Sequence, residues 1–112
     1  MLTIEGGTVA QQTLSRSLYG FCLKALQITP SIEIDLSIRD IQGAHAWTDH
    51  EKPKCFYMVI DSMLERDQFI VAFCHEMVHV AQYLNPDRPV SEDEAYALES
   101  QLAKDYQQLA HG

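Results

Sequence analysis

Apolar positions along the first third of the chain recur at helical spacing: Leu14, Leu18, Phe21, Cys22, Ala25 and Leu26. Thr8 and Gln11, three apart just upstream, have the spacing of a capping box, and Thr29-Pro30 stops the helix. Ile32, Ile34, Leu36 and Ile38 then alternate with Glu33, Asp35, Ser37 and Arg39, which predicts a strand with one face buried and one wet. Asp40 to Gly43 reads as a turn. Ala44 to Thr48 reads as a second strand, with His45 and Trp47 on one side of it, and Asp49 to Lys54 as a polar hairpin loop. Cys55 to Ile60 is a continuous apolar run of strand length. Ser62 and Glu65 form a second capping box, predicting a helix from about Met63 to Leu84. Its second half, Phe69 to Ala81, is apolar nearly all round, as a helix buried in mid-domain would be. Asn85 to Pro89 is rich in helix breakers. Ser91 and Glu94 open a last helix whose inner stripe is Ala95, Leu98, Leu102, Tyr106 and Leu109.

The predicted order is α-β-β-β-α-α. Hairpin-length connections imply a small, mostly antiparallel sheet packed on one face by helices, an α+β domain spanning residues 1–112 as a single unit. Sixteen acidic residues against eight basic ones give a net charge of -8, a surface that repels phosphate backbones and argues against nucleic-acid binding. No apolar run approaches the ~20 residues that cross a bilayer, and the first residues carry neither a basic nor an apolar signal region, so no membrane association is expected. Cys22, Cys55 and Cys74, odd in number and set in apolar stretches, read as reduced core thiols of a cytoplasmic protein. None belongs to a C-x-x-C pair, so a cysteine-rich structural zinc site is not expected.

The chemistry concentrates in His75-Glu76-Met77-Val78-His79, an H-E-x-x-H. Helical residues four apart share a face, with Cβ atoms about 5–6 Å apart, so the two imidazoles can converge on one Zn²⁺. Glu76 stands beside such a metal without having to bind it, placed to take a proton from a polarised water and return it to a leaving amine. Two histidines and a glutamate in an otherwise apolar segment are costly to bury unless something satisfies them, which favours a metal over a structural role. A catalytic zinc usually takes three protein ligands. Downstream candidates for the third are Asp87, Glu92, Asp93, Glu94, Glu99 and His111, the last near the C-terminus and more in keeping with a frayed end.

This H-E-x-x-H, followed by a glutamate at the start of the next helix in a Glu-x-x-Ala setting, resembles the gluzincin metallopeptidases. In size the chain is similar to the minigluzincins and the short zincin-like proteins of phages and bacteria. The resemblance implies a minimal zincin-like domain, Zn²⁺ as cofactor, and a third ligand three residues before a small residue. Glu92 with Ala95 meets that pattern, and so does Glu94 with Ala97. Glu92 is favoured because the family often has a polar residue four beyond the ligand to support a histidine. Tyr96 can serve Glu92 in that way, whereas Leu98 cannot serve Glu94, which also has Ser91 to cap. Tyr96 stands where the family commonly has aspartate. The strand in the place of Cys55 to Ile60 is, in the family, the sheet edge along which an extended peptide lies.

The expected function is therefore a zinc metalloendopeptidase acting on a peptide or protein substrate, with His75, His79 and Glu92 (Glu94 as runner-up) as ligands and Glu76 as catalytic base. The competing reading is a catalytically weak or inactive zincin-fold module that binds a partner protein. A chain this short leaves no room for a far wall, so the groove is shallow or completed by a second copy or a partner. Tyr57, Tyr83 and Tyr96 are each either donors to a developing oxyanion or packed aromatics. His45 and Trp47 could line a cleft, and Gln82, three beyond His79, can face the site but is given no role.

Overall fold

A computed structural model describes residues 1–87 and 89–111, the side chain of His111 excepted. The elements are β1 (Leu2–Gly6), α1 (Val9–Ala25), β2 (Glu33–Arg39), β3 (Ala46–Lys52), β4 (Cys55–Asp61), α2 (Arg66–Leu84) and α3 (Glu92–His111). The fold is α+β, with a sheet in the order β1-β2-β4-β3. Two features correct the sequence expectation. A strand, β1, precedes the first helix, and the sheet is mixed: β1 and β4 both run parallel to β2, and only β3 is antiparallel, to β4.

The reason lies in which strands can be buried. β4 brings Phe56, Met58 and Ile60 to the core face and buries Val59 on the other, so it belongs in the middle of the sheet. The corresponding inward positions of β3, Ala46, Thr48 and His50, are opposite Ile60, Met58 and Phe56 and are small or polar, suited to an edge. β3 therefore runs back beyond β4 rather than beside β2, although the β2–β3 connection is short. Cys55 to Ile60, expected as the sheet edge, is interior, and β3 takes the edge. The hairpin between them is tighter than the polar loop expected, because β3 continues to Lys52, which pairs with Cys55. Lys54 turns the chain with φ 70°.

At helix starts the expected chemistry is found at Thr8: its hydroxyl accepts from Gln11 N (3.1 Å) while its own N–H donates to Gln11 Oε1 (2.9 Å). At α2 the box is shifted. Asp61 Oδ1 accepts from Met63 N (3.1 Å), holding the following residues in a turn, and Glu65, whose N–H donates to Gln68 Oε1 (3.3 Å), caps the helix instead of Ser62. α1 ends before Thr29-Pro30: Gln27 turns left-handed (φ 55°) and Ile28 N donates to Leu23 O (2.8 Å), a Schellman closure. α2 packs on β3 and β4 and against both other helices. Its Phe69, Ile70, Phe73, Cys74, Met77 and Val80 join Ile34, Leu36, Ile38, Phe56, Met58 and Ile60 in one core. Cys22 and Cys74 are buried there, but Cys55, expected in the core, is only half-buried at the start of β4. Among the described residues no helix is long and apolar enough to cross a membrane.

Candidate metal centre

His75, Glu76 and His79 lie on α2, the two histidines one turn apart on one face and Glu76 next to His75. Cys74 and Cys22 are both buried in the core, and a hydrogen bond from Cys74, and then burial, push the Cys22 thiol pKa up, so Cys22 stays protonated.

α3 begins at Glu92 after a short connection, and Gln82 fixes its approach. Buried at 1% exposure, the Gln82 amide donates to Ser91 O (3.0 Å) and Glu94 Oε1 (2.9 Å), while its oxygen accepts from Ser91 N (3.1 Å). Ser91 Oγ in turn accepts from Glu94 N (3.2 Å). Glu94, the runner-up ligand, is thus directed to Gln82. Glu92 is turned to the histidines: its Oε1 lies 3.2 Å from His75 Nε2 and also contacts His79 Nε2. One ligand atom each from His75, His79 and Glu92 all fall within 4.8 Å of one another. Two imidazole nitrogens and a carboxylate oxygen are a donor set that suits a borderline divalent cation such as Zn²⁺, so the residues fit a metal. Asp87, Asp93 and Glu99 are outside that group, and the side chain of His111 lies outside the described residues.

The far edges of both imidazoles are also engaged. His75 Nδ1 donates to Glu99 Oε2 (3.0 Å), and His79 Nδ1 donates to Gln82 Oε1 (2.9 Å). From the sequence Glu99 is only one of the candidate third ligands, and Gln82 has no role; neither is expected to hold an imidazole at its far edge. Their spacing, seven beyond Glu92 and three beyond His79, is the signal that was available. Tyr96, expected to support a histidine by hydrogen bonding, instead sets its ring 4.8 Å from that of His75, inclined at 59°.

Glu76 is 4% exposed and accepts from Thr48 Oγ1 on β3 (2.8 Å). Burial raises its pKa and the Glu92 charge adds to the rise, against the opposing pull of the Thr48 hydroxyl and the two histidines. Glu92 differs in sign. Its partial desolvation opposes ionisation, but the contacts with His79 and His75 outweigh that and hold its pKa below the ordinary range. Two carboxylates that feel each other's charge are thereby tuned in opposite directions.

An open groove of about 880 Å³ runs over these residues. Ala46, Trp47 and Thr48 of the edge strand border one side, Val90 and Tyr96 the other, with Val71 and Ala72 on its floor. His45 and Tyr83 also line it. Tyr57 alternates with Phe56 and Met58 on interior β4 and is not a lining residue. No known family model, curated protein or solved structure matches the chain.

Proposed function

We propose that the chain is a small zinc-dependent metallopeptidase of gluzincin type, with His75, His79 and Glu92 holding the metal and Glu76 as the catalytic base. The observation that carries this reading is the convergence of Glu92, from a separate helix, on the Nε2 atoms of both histidines. When bound there, zinc supplies Lewis acidity to the scissile carbonyl and makes a nearby water a better nucleophile at neutral pH. Glu76, with its raised pKa, takes the proton from that water and returns it to the departing amine. Glu92, held ionised, contributes a fixed negative charge, and Thr48 fixes the Glu76 carboxylate. The substrate is an extended peptide lying against β3, whose outer edge borders the groove and is the edge that strand addition needs. The compartment that suits three free thiols is the cytoplasm.

Elemental analysis of unchelated protein and a peptide-library assay test the reading together. About one zinc per chain is expected in the wild type, in Glu76→Gln and in Glu94→Ala, and none in Glu92→Ala. Hydrolysis is expected in the wild type and lost in Glu76→Gln. Normal hydrolysis by Glu76→Gln would sink the mechanism; zinc without hydrolysis of any peptide would favour the partner-binding module.

A further inference from the structure

Glu92 and Glu99 are seven residues apart on α3, so their side chains leave the same face of the helix two turns apart. Between them the helix grips both edges of one imidazole: Glu92 Oε1 is at Nε2 of His75 (3.2 Å) and Glu99 Oε2 at Nδ1 (3.0 Å). The two carboxylates differ in surroundings. The Glu92 side chain is 62% exposed and open to the groove, whereas that of Glu99 is 17% exposed, against a His75 side chain that is itself 11% exposed. A carboxylate can only accept, so Glu99 fixes the hydrogen on Nδ1 and leaves the Nε2 lone pair of a neutral His75 for the ligand position. A charge-assisted bond in a desolvated setting also makes that nitrogen a stronger donor to a cation. His79 is treated differently, since its Nδ1 is held by the neutral amide of Gln82. Tyr96, lying between the two glutamates, packs on the His75 ring and cannot supply this bond.

We infer that Glu99 is the positioning residue for His75, orienting the ring and raising its affinity for the metal. The inference rests on the metal reading proposed above and adds to it a residue that touches neither metal nor substrate. It is tested by zinc competition against a chromophoric chelator and by the visible spectrum of the cobalt-substituted protein, neither of which needs a substrate. Glu99→Gln, nearly isosteric, keeps an acceptor but loses the charge. It is expected to bind zinc about ten-fold more weakly than wild type, and Glu99→Leu up to about a hundred-fold. Thermal unfolding of metal-free Glu99→Gln should stay close to wild type, while its cobalt spectrum shifts as the ligand nitrogen changes. Wild-type zinc affinity and an unchanged cobalt spectrum in Glu99→Gln, with binding lost in Glu92→Ala, would overturn the role of Glu99 and leave the metal site standing. A wild type that takes up no zinc would overturn both. Should Glu99→Leu fail to fold, Glu99→Gln alone decides.

Discussion

The Thr48 hydroxyl reaches from the edge strand to Glu76 Oε1 at 2.8 Å and opposes the burial that raises the Glu76 pKa. Thr48→Val keeps the shape and removes the donor, so the carboxylate loses a stabiliser of its charged form and ionises at higher pH. A base works only when ionised. In the proposed peptidase the acidic limb of the kcat/KM profile should therefore move to higher pH in Thr48→Val and stay in place in Thr48→Ser; an unmoved limb in Thr48→Val would refute the coupling. Elsewhere, Tyr19 Oη is the buried side-chain polar atom without a partner among the described residues. An unsatisfied hydroxyl carries a desolvation penalty, so Tyr19→Phe should stabilise the protein by about 1 kcal/mol in denaturant unfolding. Burial also raises the Tyr19 phenol above its ordinary 10.0, so the folded state keeps a proton that the unfolded chain releases. That contribution is intact below about pH 10 and is lost as the pH rises further. Tyr19→Phe should flatten this alkaline decline, and a decline as steep as wild type would count against the assignment.

At the scale of elements, β1 depends on Gly6. Its φ is +81°, and a Cβ there would run into the carbonyl oxygen of Ile38 on β2. Gly6→Ala should destabilise the protein by about 2 kcal/mol or more, with the loss of amide-exchange protection centred on β1 and β2. Uniform loss across the sheet would argue against this local cause. β1 also shows where sequence reading ran out. Leu2 and Ile4 offer only two turns of alternation, and the strand's partner, β2, lies about thirty residues downstream. The pairing of β4 with β2 was closer to legible, because Cys55 to Ile60 is apolar without alternation, the mark of a strand buried on both faces. The helices were legible because their periodicity is local, and Thr8-Gln11 was legible for the same reason. Ser62-Glu65 had the right letters in the wrong place, since Asp61 takes the turn. His75, Glu76 and His79 could be grouped from spacing alone. Spacing alone left Asp87, Glu92, Asp93, Glu94 and Glu99 open, and the resemblance favoured Glu92; the angle at which α3 returns, set by Gln82 from the other helix, is what turns Glu92 to the histidines.

For the whole molecule, the candidate ligands straddle two elements, His75 and His79 on α2 and Glu92 at the first turn of α3. A cation held by all three would tie these helices together across the breaker-rich connection between them. Because the unfolded chain does not hold the three groups in one place, binding stabilises the folded state alone, by about 2.7 kcal/mol when free zinc is a hundred-fold above Kd. In a domain of this size that corresponds to a rise in Tm of about 10 °C. A chelator should reverse it, and Glu92→Ala should be indifferent to both additions. Metal binding requires deprotonated ligands, so protons compete with zinc and the increment shrinks in acid. Paired thermal scans with and without zinc, at neutral pH and near pH 5, measure this directly. A rise in Tm as large in Glu92→Ala as in wild type would show that the two helices are not joined through that carboxylate. A rise that persists unchanged at acid pH would show that the histidines are not what zinc binds.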